Sequence, residues 1–217
     1  MQHNSLILSP EDCQKKLNVS RETKEKLELY VHTLKKWQKK LNLVGKSTLL
    51  DPWKRHVYDC GQVAGIASKY NQKIIDVGSG AGLPGIIWSI MGVKDIKLVE
   101  SDQKKTIFLN EVSRLCDINI EILNSRIEDI SHIRSNVFTA RAFAPIYRIF
   151  DFLIKNINDE TRFILFKGEN AEEEIRFAET YWNNTYRKKM KLFPTFNLQK
   201  SLSNLNSKIV ICNFIKA

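Results

Sequence analysis

Seven consecutive residues, Asp76-Val77-Gly78-Ser79-Gly80-Ala81-Gly82, are where this chain's residue types and spacing point most directly to chemistry on a small molecule. Glycine at alternate positions lets a turn take positive φ and lets a ligand approach the backbone. The stretch follows a short apolar run, Lys73–Val77, and precedes a helical pattern from about 83 to 91. A strand, a glycine turn and a helix start form an anion-friendly cradle of backbone N–H groups. In an open parallel sheet, ligands bind at the carboxyl ends of strands, where this turn would sit.

Two cofactor classes compete for such a turn. Gly80-Ala81-Gly82-Leu83-Pro84-Gly85 matches the dinucleotide fingerprint G-x-G-x-x-G in letters. The first glycine of that fingerprint should follow the strand directly, and here Gly78 does so. Counted from Gly78, the third fingerprint position is Leu83. Asp76, an acid on the strand end, suits S-adenosylmethionine and not a nicotinamide dinucleotide. Glu100 ends a second apolar run 22 positions after Gly78, where a carboxylate can accept both ribose hydroxyls. A third run leads into Asn124-Ser125-Arg126-Ile127-Glu128-Asp129, where a backbone N–H and an acid could read an adenine edge.

These residues need a sheet to hold them. Apolar runs at Lys73–Val77, Ile96–Val99, Ile118–Leu123, Asn136–Ala140 and Phe163–Phe166 alternate with helical stretches at 103–115, 146–157 and 170–182. Such alternation predicts a doubly wound, mostly parallel sheet with helices on both faces. Lys188–Phe193 and Lys208–Phe214 fit an antiparallel hairpin at one edge, which makes seven strands. Residues 10–65 read as helix, with Ser9 as N-cap before Pro10 and an apolar stripe of Leu27, Tyr30, Val31, Leu34, Trp37 and Leu41. The expected organisation is an N-terminal helical extension over 1–70 and a Rossmann-like domain over 71–217. Trp37, at helical spacing, is expected in the core.

The formal charge is +10, and residues 1–70 carry 13 Lys/Arg against 7 Asp/Glu. The excess favours a polyanionic partner, nucleic acid first, or is a solvated lysine-rich surface. Cys13, Cys60, Cys116 and Cys212 lie far apart, so no metal site is expected, and reduced thiols fit a cytoplasmic protein. No secretory signal and no membrane span are expected.

Several ordered blocks make the chain resemble a known family. They are Trp37 with Asn42-Leu43, Arg55-His56-x-x-Asp59, Asp76 to Ile86 with its Gly-Leu-Pro-Gly continuation, Glu100-Ser101 with Lys104-Lys105-x-x-Phe108-Leu109, Arg126-x-Glu128, Arg141-Ala142 and Lys167-Gly168. The family is that of the bacterial small-subunit rRNA guanine-N7 methyltransferases, also called glucose-inhibited division protein B. The resemblance implies a class I methyltransferase fold with a helical addition. It implies methyl transfer to N7 of the guanine at position 527, in the 530 loop of 16S rRNA. By motif position it implies that Gly78, Leu83, Ile127, Glu128 and Arg141 contact the cofactor, beside Asp76, Gly80, Gly82 and Glu100. Gln38, Val44 and Cys60 depart from the family's usual residues. The partner would be 16S rRNA, as the small ribosomal subunit or its assembly intermediate, and the enzyme a monomer.

Guanine N7 is already nucleophilic, so positioning can supply most of the rate and no general base is required. The chain lacks the Asn/Asp-Pro-Pro-aromatic motif of amine methylation and the Pro-Cys pair of pyrimidine C5 methylation. Arg141 and His56 are the candidates near the methyl-transfer point. Arg141 could hold the methionine carboxylate or the RNA, and His56 could equally be a core histidine. RNA contacts are expected from Arg55, His56, Lys104, Lys105, Arg126 and Lys167, with Asp59 orienting Arg55 or His56 one turn earlier. Alternatives are a methyltransferase acting on another RNA or a small molecule, and a non-catalytic RNA-binding or assembly protein.

Overall fold

The computed structural model describes residues 7–70, 72–130, 135–204 and 206–216. Helix α1 (Pro10–Leu17) starts where Ser9 Oγ accepts from Asp12 N at 3.0 Å, with Pro10 in the first turn. Helix α2 (Arg21–Gln38) is capped in the same way by Ser20 and buries Leu27, Tyr30, Val31 and Leu34. The helix expected to run on to residue 65 is broken instead. A 3-10 turn (Lys46–Leu50), a π-helical turn (Trp53–Tyr58), α3 (Asp59–Gly61) and α4 (Ala64–Lys69) replace it. Pro52, which lacks the N–H that a continuing helix needs, opens the π-helical turn and separates it from the 3-10 turn.

The sheet holds β1 (Ile74–Val77), β2 (Ile96–Glu100), β3 (Glu121–Asn124), β4 (Val137–Arg141), β5 (Arg162–Lys167), β6 (Leu192–Lys200) and β7 (Lys208–Lys216). Their order is β3-β2-β1-β4-β5-β7-β6. Strands β1 to β5 are parallel, and β7 runs antiparallel between β5 and β6. Chain order reverses between β1 and β4, so the turns after these two strands open a crevice at the switch point of the sheet.

Helices α5 (Gly85–Ile90) and α6 (Gln103–Leu115) share one core with α2 on one face of the sheet, around Tyr30, Leu34, Trp88 and Phe108. Trp37 packs edge-on to Phe108, with ring centroids 5.8 Å apart. Helices α7 (Ile146–Leu153) and α8 (Ala171–Thr185) cover the other face, around Phe138, Phe150, Phe163, Trp182 and Phe214. The extension and the sheet are therefore joined by a continuous apolar core, and Asn71, at the division expected from sequence, lies outside the described residues.

One strand begins later than expected. Residues 187–190 form helix α9 (Arg187–Met190), and Lys191, at φ 51°, turns the chain into β6. Arg187, Lys188 and Lys189 at a helix C-terminus complement its dipole. Strand β6 then carries Pro194, which an edge strand tolerates.

Candidate functional site

The chain leaves β1 at Val77 and turns through Gly78 and Gly80 to Gly82, at φ +66°, +53° and +78°. Gly78 N and Ser79 N both donate to Val99 O, so β2 fixes the start of the turn. A Cβ on Gly82 would stand 2.3 Å from Ile86 Cγ1, in the core beneath the loop. Tyr30 reaches from α2 to donate its hydroxyl to Ala81 O at 3.0 Å. Glu100 lies across the opening. Its Oε2 accepts from Gly80 N and its Oε1 from Asp102 N, each at 2.8 Å.

Two cavities meet on this loop. One, of about 490 Å³, lies among Gly78 to Ala81, Glu100, Lys105, Arg141 and the N-terminal segment Asn42–Gly45. The other, of about 320 Å³, is lined by Ser125, Arg126, Ile127, Glu128 and Arg148. Gly78, Ser101 and Phe143 border both. The Phe143 ring rests on Gly78, 2.1 Å from where a Cβ would be.

Asp76 is completely buried behind the loop. Its Oδ2 accepts from Gly85 N at 3.0 Å, while its Oδ1 has no partner. Burial pushes the carboxyl up to about 7; the Glu100 charge adds to the rise, and the Gly85 N–H and Ser79 oppose it. An orphaned buried carboxylate oxygen is costly, and a cationic ligand group would satisfy it. Glycine turn, ribose-directed acid and orphaned carboxylate together fit a nucleoside joined to a cationic amino acid.

Arg141 ends β4 in a web of contacts. Its NH1 donates to Cys60 Sγ at 3.0 Å and its NH2 to Arg55 O at 2.6 Å, while NH2 lies 3.1 Å from Asp59 Oδ2. Asp59, expected to orient Arg55 or His56, instead pairs with Arg141 because the π-helical turn directs it inward. Both members are mostly buried, with side-chain exposures of 17% and 4%. Removing one partner of such a pair strands the other charge. Asp59→Ala is expected to lower stability by about 3 kcal/mol, measured by denaturant unfolding.

The expected residues divide clearly. Gly78, Gly80, Leu83, Glu100 and Arg141 line the larger cavity, Ile127 and Glu128 the smaller, and Asp76 and Gly82 stand behind the loop. Lys105 reaches the larger cavity, Arg126 the smaller, and Lys104 is exposed beside them. Arg55 is half-buried and spends its carbonyl on Arg141.

Two of the residues expected to meet RNA are corrected. Lys167 is buried, donating to Ala144 O at 2.7 Å and pairing with Glu174 at 2.8 Å. It clamps the β4–α7 turn, with its charge already engaged by Glu174. His56 is 3% exposed, and burial with the Arg141 and Arg55 charges pulls it down to about 3. A neutral imbedded imidazole offers no cation to phosphate; it lines the cavity and meets Thr48 Oγ1 at 2.9 Å.

Sequence reasoning missed other parts of the site. Gln38 accepts from Leu43 N and Val44 N, each at 3.0 Å, and donates to Val44 O at 2.9 Å. It shapes the segment that walls the larger cavity. Its departure from the family's usual residue marked the position without revealing this role. Ser201 and Ser203, in the β6–β7 turn, both donate to Asp59 Oδ1, and no local pattern pointed to them.

Comparison with known proteins agrees with this geometry. Residues 23–202 match the family described as rRNA small subunit methyltransferase G. The ribosomal RNA small subunit methyltransferase G of Paramagnetospirillum magneticum is 39% identical over 82% of this chain and 87% of its own. The protein of that name from Rhodospirillum rubrum is 38% identical over 81% of this chain and 87% of its own. Among solved structures, TYW2 of M. jannaschii in complex with AdoMet shares the fold, with a TM-score of 0.56 and 13% identity, over 75% of this chain and 76% of that one. With a match that spans most of the chain, and relatives near two-fifths identity over four-fifths of it, the chain belongs to the rRNA small subunit methyltransferase G family.

Proposed function

We propose that this protein transfers a methyl group from S-adenosylmethionine to N7 of a guanine in 16S rRNA, the guanine at position 527 in the 530 loop. The observation that carries the reading is the meeting of two cavities at Gly78. A ligand laid across Gly78 places its nucleoside by Ile127 and Glu128, and its reactive centre where a base can enter from the Asn42–Gly45 side.

When bound, S-adenosylmethionine supplies an electrophilic methyl on a sulfonium. Glu100 would hold the ribose, Glu128 with the Ile127 backbone the adenine, and Asp76 the ammonium. The guanine N7 lone pair lies in the ring plane and forms the new N–C bond as the S–C bond breaks, with no proton removed. Positioning is then the main contribution of the protein. The modified base carries a positive charge. Arg141 beside it is neutralised by Asp59, so the transfer end of the cavity holds a balanced pair and no bare cation. Lys105 and Arg126 border the two cavities, Lys104 is exposed next to Lys105, and all three suit RNA phosphates. No helix among the described residues is long and apolar enough to cross a membrane. We place the enzyme in the cytoplasm as a monomer, acting on the small subunit or its assembly intermediate.

The test uses purified protein, labelled S-adenosylmethionine and small subunits that lack the modification, with the RNA digested to nucleosides. Label in 7-methylguanosine is expected. Label in another nucleoside would overturn the choice of atom, and none at all the assignment of substrate. Glu100→Gln removes a carboxylate oxygen from Gly80 N or Asp102 N and turns an amide N–H toward it. The carboxylate's bonds to the ribose hydroxyls would contribute about 1.5–3 kcal/mol, so losing them should lower cofactor affinity about 10- to 100-fold by calorimetry.

A further inference from the structure

We infer that Ser201 and Ser203, in the turn between β6 and β7, are positioning residues for methyl transfer, because through Asp59 they set the Arg141 guanidinium at the transfer end of the cavity. The inference rests on the reading of the protein as a methyltransferase.

The turn has an unusual polarity. Leu202 stands 73% exposed, while the serines on either side point inward and are 6% and 2% exposed. A solvent-facing hairpin needs no buried hydroxyls, and burying one is costly unless it finds a strong acceptor. Here the acceptor is a carboxylate about 140 residues earlier. Ser201 Oγ donates to Asp59 Oδ1 at 2.7 Å, and Ser203 Oγ donates to the same oxygen. Gln62 braces the turn, donating from Nε2 to Ser201 Oγ and accepting from Leu202 N, both at 2.8 Å.

The two oxygens of Asp59 are thereby divided. Oδ1 serves the serines and, at 3.3 Å, Gln62 Nε2, while Oδ2 serves Arg141 NH2 at 3.1 Å. A carboxylate with both oxygens free would take an arginine by two parallel bonds. With Oδ1 committed, it holds the guanidinium through one nitrogen only. The Cys60 thiol and the Arg55 carbonyl fix the remaining orientation. The guanidinium thus stays at the wall of the larger cavity. Without the hydroxyls, Oδ1 would keep only the longer bond from Gln62 Nε2, at 3.3 Å, and could turn to Arg141 and draw it off that wall.

The test compares wild-type protein with the pair S201A/S203A and with S203A alone, which keeps the experiment usable if the pair folds poorly. Rates are measured with undermethylated small subunits and S-adenosylmethionine. The expected result is a kcat about tenfold lower for the pair and about threefold lower for S203A, with KM for RNA and for cofactor within twofold of wild type. An unchanged kcat in both variants, or a raised KM with kcat preserved, overturns the inference while leaving the methyltransferase reading intact. Absence of methyl transfer by the wild-type protein is the separate failure of that reading.

Discussion

Gly78→Ala is expected to weaken S-adenosylmethionine binding about 100-fold, and Gly78→Val to abolish it at any practical concentration. Gly78 sits at φ +66°, a left-handed conformation that costs a non-glycine residue about 1–2 kcal/mol. That strain is present with and without ligand, so it lowers fold stability by that amount and leaves the loss of affinity to sterics. A Cβ there points at the junction of the two cavities, the place now held by the Phe143 ring. A ring can move aside for a ligand, whereas a Cβ cannot. Valine adds branching at positive φ, which such residues very rarely adopt. The fold should survive, because Gly78 faces the cavities and not the core. Calorimetric titration with S-adenosylmethionine, alongside thermal unfolding, checks both halves. Near-normal affinity in the alanine variant would mean that the ligand does not cross Gly78, and the proposed site would be wrong.

The contrast between Gly78 and Ser203 shows what a sequence displays and what it conceals. The glycine loop is legible because its chemistry is local: one strand, one turn and one helix start fall within a dozen residues. Glu100 is legible for a related reason, since a βαβ unit places the end of its second strand beside the first turn. The parallel order of β1 to β5 follows from alternating elements. Asp59, Ser201 and Ser203 are different. Their roles exist only where α3, β4 and the last hairpin converge, and no periodicity brings those segments together. Lys167 erred in the opposite direction. A lysine at a strand end resembles a phosphate contact until Glu174, one element later, is seen to pair with it. His56 likewise owes its neutrality to burial and to the Arg141 charge, which arrives from 85 residues away. Tertiary placement, and not composition, decided which charges are available to a ligand.

The pH dependence of cofactor affinity should reveal Asp76 directly. Its carboxyl is raised from the ordinary 3.8 to about 7, first by burial and then by the Glu100 charge, against the Gly85 N–H and Ser79. An acid whose folded value exceeds its unfolded one binds its proton more tightly in the folded state. Its contribution to stability is therefore most favourable below about 4, declines as pH rises, and levels off above about 7. Binding has the opposite sign. On the proposed placement, the ammonium of the cofactor would need the ionised carboxylate, whose population falls tenfold for each pH unit below about 7. Affinity should thus rise between pH 5.5 and 7, with proton release on binding, and flatten between 7 and 8. Above about 8 the α-ammonium of the ligand begins to lose its own proton. Asp76→Asn keeps an acceptor for Gly85 N but offers the ammonium no charge. At pH 7.5 it should bind about 10- to 100-fold more weakly, with a flat profile. Titrations in two buffers of different ionisation enthalpy measure both affinity and proton count. A wild-type affinity independent of pH from 5.5 to 7.5 would show that the unpartnered Oδ1 is not the ammonium site, and the polar end of the ligand would have to be placed at Arg141 instead.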